Sequence, residues 1–80
     1  GACRVARNGS GLIVTPLPEG KAFELRLKRE QLPFEIPEPK RCDARDESGN
    51  TLWRVDLTIE NNEIVLTCDP ATFDYSLSAD

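Results

Sequence analysis

The run Trp53-Arg54-Val55-Asp56-Leu57-Thr58-Ile59-Glu60 sets an apolar side chain at every second position, and Asn61-Asn62 separates it from Ile64-Val65-Leu66-Thr67-Cys68. A period of two marks a strand with one dry face and one wet face. Two asparagines between such runs fit a two-residue hairpin, because asparagine tolerates positive φ. The stretch therefore reads as an antiparallel pair. Trp53, Val55, Leu57 and Ile59 point inward from one arm, and Ile64, Leu66 and Cys68 from the other. Arg54, Asp56, Thr58 and Glu60 face water.

The same period extends outward in both directions. Cys3, Val5 and Arg7 alternate with Arg4 and Ala6, and Asn8-Gly9 is a strong hairpin signal before the β-branched return Leu12 to Thr15. Gly20 suits a turn position with φ above zero, and Phe23, Leu25 and Leu27 then share one face. Pro33, Pro37 and Pro39 cannot donate to a ladder, so residues 30–40 read as an edge strand or an extended crossover, with a helical turn at 29–32. Cys42 and Ala44 share a face. Glu47 to Asn50 forms a tight connection, and Phe73, Tyr75 and Leu77 close the domain with Asp74, Ser76 and Ser78 outside. Short strands at regular spacing, with no competing helical pattern, define an all-β fold. We expect residues 1–80 to form one small antiparallel β-sandwich of six to seven strands, Ig-like in general architecture.

Composition bounds the chemistry. The 80 residues contain no histidine, which removes the usual general base near neutral pH and all His-containing metal sites. They contain no methionine either, initiator included, so the chain reads as a piece excised from a longer one. No run approaches the roughly 18 apolar residues of a membrane span. The formal net charge of -4 argues against general affinity for nucleic acid. It hides an asymmetry: nine Lys/Arg against six acids in residues 1–45, and one, Arg54, against eight acids in 46–80. Cross-strand pairing of basic with acidic strands explains this most simply.

Cys3, Cys42 and Cys68 lack zinc-ribbon spacing. Two readings stand for Cys42 and Cys68, which both fall on the apolar phase. One is a disulfide, worth about 3.5 kcal/mol for a loop of this length. The other is a pair of buried thiols. Gly1-Ala2-Cys3 matches the end of a bacterial lipoprotein cleavage site, which would make Cys3 a lipid anchor, although Cys3 equally suits the start of a strand.

No constellation supports catalysis. Ser10 and Ser48 have no base, and the cysteines no activating histidine. Asp43, Asp46, Glu47 and Asn50 are a source of oxygen ligands for calcium, but the composition of 46–50 is also what a tight hairpin requires. Phe23, Trp53, Phe73 and Tyr75 all sit on the apolar phase, which leaves Phe34 as the aromatic free to be exposed. That argues against a sugar-stacking platform. The basic strands carry no interleaved aromatics for single-stranded nucleic acid.

Phe34-Glu-Ile-Pro-Glu-Pro39, Asp43-Ala-Arg-Asp-Glu-Ser-Gly-Asn50, the long strand and Phe73-Asp-Tyr75 resemble the C-terminal β-sandwich modules of large secreted bacterial hydrolases, many acting on polysaccharides. The resemblance spans residues 17–77. It implies a non-catalytic structural or interaction module of an extracytoplasmic bacterial protein, with no cofactor. Such a module is monomeric in isolation and docks neighbouring domains of its parent chain through one sheet face or the proline edge around Phe34 and Ile36. A ligand-binding module, for carbohydrate or calcium, is the alternative. A second likeness is to the immunoglobulin-type corner, with Asp69 and Ala71 in place and Phe73 where the tyrosine would stand, so that the corner hydrogen bond would be missing.

Overall fold

Asn61 and Asn62 take φ of 50° and 64°, the pair of left-handed residues that a type I′ turn needs, and Glu60 stands opposite Glu63 across the hairpin. Around this hairpin the computed structural model, which describes residues 3–17 and 20–79, builds eight strands. They are β1 (Cys3–Asn8), β2 (Gly11–Pro16), β3 (Phe23–Lys28), β4 (Arg41–Arg45), β5 (Thr51–Val55), β6 (Leu57–Glu60), β7 (Glu63–Cys68) and β8 (Asp74–Ser78). A 3-10 turn, Arg29–Gln31, follows β3. All pairings are antiparallel, in a five-stranded sheet ordered β1-β2-β8-β4-β5 and a three-stranded sheet ordered β3-β7-β6. The fold is the expected small β-sandwich, with one strand more than its upper count. The extra strand arises at Asp56, where the long alternating run leaves the first sheet as β5 and enters the second as β6.

Register explains the core. On the inner face of the large sheet Val5, Val14, Tyr75, Ala44 and Trp53 form one row, and Arg7, Leu12, Leu77, Cys42 and Val55 the next. The small sheet opposes them with Leu25-Leu66-Leu57 and Leu27-Ile64-Ile59. Leu12, Val14, Leu25, Ile64, Leu66, Tyr75 and Leu77 are all but inaccessible to solvent. Each is worth roughly 1.5–3 kcal/mol relative to exposure.

Three local expectations shift. The first hairpin turns at Gly9-Ser10, one residue later than Asn8-Gly9. Of the two loop residues only Gly9 has positive φ (62°), the type II′ pattern with glycine in first place. The helical turn expected at 29–32 forms as a 3-10 turn over 29–31, and residues 32–40 join no ladder and cross from the small sheet to the large one. Asp74, on the outward phase, is buried, because Arg45 lies directly across from it on β4 and both its carboxylate oxygens accept from that guanidinium, at 2.7 and 2.9 Å. Bidentate pairing compensates the buried carboxylate. It is also one of the basic-to-acidic contacts that link the two halves of the chain, as are the approaches of Arg26 to Glu60 and Glu63.

Candidate functional site

The unequal size of the sheets decides where the one tryptophan reaches solvent. Five strands face three, so the smaller sheet leaves part of the larger one's inner face uncovered. Trp53 occupies the inner phase, opposite Ala44 at the β5 edge, yet is 43% exposed. Phe73 lies just before β8, not within it, and is 46% exposed. Both were expected inside. Alternation assigns a face; it does not say whether a second layer covers that face. Leu52, beside Trp53, and Leu17 complete the set, at 42% and 55%.

Phe34 and Ile36, expected at an exposed docking edge, behave in the opposite way. Ile36 is buried in the core, and its carbonyl accepts from the Arg29 guanidinium at 2.9 Å. Phe34 is half-buried against the core, and the Arg7 guanidinium sits 5.0 Å from its ring centroid, a cation–π contact. The proline segment thus supplies apolar side chains to an 80-residue chain that is short of core. It is not a free edge.

The cysteines are all free thiols, so the Cys42–Cys68 pair is buried and unbonded. Burial, with the Asp43 carboxylate adding to it, pushes the Cys42 thiol up to about 12. Burial also raises Cys68 and Cys3. Thiols held this far toward the protonated form are poor nucleophiles. Cys3 begins β1 opposite Pro16 and packs half-buried against the core; Gly1 and Ala2, which complete the lipoprotein-like triplet, lie outside the described residues.

The acidic loop closes on itself. One Asp46 oxygen accepts the backbone N–H groups of Ser48 and Asn50, both at 2.9 Å, and the other accepts the Asn50 side-chain amide at 3.3 Å. These bonds, the Asn50 backbone first, hold the Asp46 carboxyl below its usual range. Among the described residues no three acidic or cysteine side chains converge as a metal site would require, and no helix is long and apolar enough to cross a membrane.

A concavity with an apolar wall is present among the described residues. It is a groove of about 400 Å³ with Leu17, Gly20 and Lys21 on one side and the β7–β8 corner on the other. Pro16, Leu17, Phe23, Pro70 and Phe73 supply its apolar wall, and Arg4, Lys21 and Asp69 also line it. Gly20, at φ 74°, makes the reversal on the loop side. The corner is held by Tyr75. Its hydroxyl accepts from the Asp69 N–H at 2.7 Å and lies 2.6 Å from the Thr72 hydroxyl. Thr72 gives its single proton to the Asp69 carbonyl at 2.7 Å, so the tyrosine donates to Thr72. The corner bond that Phe73 could not make is therefore made by Tyr75, two residues on. This frees Phe73 to turn outward, with its N–H on the Arg45 carbonyl at 2.8 Å. Comparison with known protein families, characterised proteins and solved structures finds no match to this chain.

Proposed function

We propose that this domain is a non-catalytic interaction module of a larger extracytoplasmic bacterial protein, docking a neighbouring domain through the uncovered inner face of its five-stranded sheet. The observation that carries this reading is the exposure of Trp53, the sole tryptophan, with Leu52 beside it on an edge strand. Tryptophan is the residue most enriched among interface anchors, because one rigid side chain buries much area at little entropic cost. A small domain that leaves its largest apolar side chain outside a thin core gives up stability, and a partner surface restores the lost burial. The resemblance of residues 17–77 to accessory modules supports the compartment and the absence of catalysis. Neighbouring segments of the parent chain, produced as separate polypeptides, are added to the domain while acrylamide quenching of Trp53 is followed. Docking on this face protects the indole. Unchanged quenching at saturating partner excludes it.

A second reading draws on the same side chain. An exposed indole is also what stacks on sugar rings, and the argument against a carbohydrate platform rested on Trp53 and Phe73 being interior. A glycan array separates the two readings, since saturable glycan binding abolished by Trp53→Ala belongs to the carbohydrate reading alone.

A further inference from the structure

We propose that Asn8 is a site of spontaneous modification, at which the Gly9 backbone nitrogen attacks the Asn8 side-chain amide, closes a succinimide, and yields aspartate and isoaspartate on hydrolysis. The site lies at the tip of the β1–β2 hairpin, on the edge of the large sheet opposite β5. It does not depend on the function proposed for the Trp53 face. Asn8 and Gly9 are both exposed, so hydroxide and water reach them. Glycine offers no β-carbon to crowd the approach of its nitrogen to the Asn8 Cγ. The surroundings leave room as well, since even a Cβ built on Gly9 would meet nothing within 4 Å. Asn8 opposite Gly11 is the last pair of the β1–β2 ladder, and Gly9 stands beyond it at φ 62°. The attack requires Asn8 to leave its extended conformation, and the end of an edge strand is where such opening costs least. Only the β1 side has to move, because Gly11 is buried with its backbone close against the Leu77 carbonyl.

The other asparagines lack this combination. Asn50 precedes β-branched Thr51, and its side-chain amide donates to Asp46 at 3.3 Å, which holds the Cγ within the loop. Asn61 precedes Asn62 and Asn62 precedes Glu63, so the attacking nitrogen belongs in each case to a residue with a side chain. The Asn62 carbonyl also accepts the Arg29 N–H at 3.1 Å, which anchors that turn.

The chemistry involves no change of oxidation state. Hydroxide takes the Gly9 N–H proton, the N–Cγ bond forms, and the Cγ–Nδ2 bond breaks as the leaving nitrogen takes a proton from water and departs as ammonia. Water then adds to one of the two ring carbonyls. Addition at Cγ breaks the new bond and leaves aspartate on an ordinary backbone. Addition at the Asn8 backbone carbonyl carbon breaks its bond to Gly9 and leaves isoaspartate, with the chain running through Cβ and Cγ. Both products add a negative charge beside Arg7, whose guanidinium sits 5.0 Å from the Phe34 ring centroid. Isoaspartate also lengthens the backbone by one carbon, which takes position 8 out of register with Gly11.

The test holds the folded protein in mildly alkaline buffer and maps its peptides by mass spectrometry over time. Conversion is expected at Asn8, at least about tenfold faster than at Asn50, Asn61 or Asn62. A carboxyl methyltransferase that recognises isoaspartate, supplied with labelled S-adenosylmethionine, reports the lengthened backbone. Asn8→Gln keeps an exposed amide but must close a larger ring, and it abolishes conversion at that position. Gly9→Ala slows conversion by about tenfold even though left-handed strain loosens the hairpin, so crowding and opening are told apart by the sign of the change. Thermal midpoints check that both variants fold. The proposal is overturned by any of four results: no conversion at Asn8 in the folded protein; equal rates at all the asparagines; an Asn8 product free of isoaspartate; or a Gly9→Ala rate equal to or above that of the parent.

Discussion

Replacing Tyr75 with phenylalanine removes one oxygen from a side chain with no solvent exposure and leaves the ring in place. That oxygen accepts the Asp69 N–H at 2.7 Å and donates to Thr72 at 2.6 Å. Two short hydrogen bonds are lost, each worth about 1 kcal/mol net, and the Asp69 N–H is left without an acceptor inside the corner. Asp69 lies at the surface, so water recovers part of that loss. The expected destabilisation is therefore about 2 kcal/mol, not the sum of two full desolvation penalties. In a domain of this size it lowers the thermal midpoint by roughly 8–16 °C. Urea unfolding followed by Trp53 fluorescence gives the free energy, with the m-value expected to stay constant because the folded state remains compact. Thr72→Val breaks the same ring from the other side, and the double variant should cost about 1 kcal/mol less than the two single losses added together. A Tyr75→Phe protein within about 0.5 kcal/mol of the parent would refute the corner network as a source of stability.

Gly11 is the least replaceable glycine. A Cβ there meets the Leu77 carbonyl across the β2–β8 ladder, where backbone cannot swing away, so Gly11→Ala should cost about 2–3 kcal/mol. Gly9→Ala faces open space and bears only the left-handed conformation, about 1 kcal/mol. Asp74→Asn keeps the shape but strands the Arg45 guanidinium, with an expected loss of about 2–3 kcal/mol in urea. Replacing both partners by leucine and methionine should recover part of that loss. Alkaline titration tests Cys42. Its folded pKa is raised from 9.0 to about 12, so the native state holds a proton that the unfolded chain releases. The resulting stability is complete below pH 9 and is lost as pH rises toward 12, by roughly 4 kcal/mol at most. Cys42→Ala should flatten that decline in thermal midpoint, and an equally steep decline in the variant would refute the assignment.

Strand phase was legible because it depends only on neighbours in sequence. The alternation of Leu25 and Leu27 with Arg26, or of Ile64 and Leu66 around Val65, follows from the pleat. Val65 is the instructive exception. It faces away from the core yet is buried, because it sits on the central strand of the small sheet between Arg26 and Thr58. The turns were legible to within one residue. Asn61-Asn62 had no competing placement, whereas Asn8, Gly9 and Ser10 allowed two, and the loop settled where glycine takes the single position of positive φ. Asp56 carried no signal of a sheet change, because the alternation continues through it in step. Asp74 was misread because its partner is twenty-nine residues away, and no local pattern discloses a cross-strand arginine.

The candidate sites were the least legible part, for a reason that follows from the fold. Period two gives Trp53, Val55, Leu57 and Ile59 one face, but whether a face is dry depends on the width of the opposing layer. A three-stranded sheet cannot roof a five-stranded one, and the strand that supplies Trp53 lies at the margin. The proline crossover was expected to lie outside for want of hydrogen bonds. Backbone donors and apolar burial are separate matters, however, and Ile36 reaches the core from a segment in no ladder. The misplacements have separate local causes. The thin core draws Phe34 and Ile36 inward on one flank, the mismatch in sheet width leaves Trp53 uncovered, and the place of Phe73 in the corner before β8 leaves it exposed. Apolar surface that the alternation assigned to stability is thereby left available for recognition.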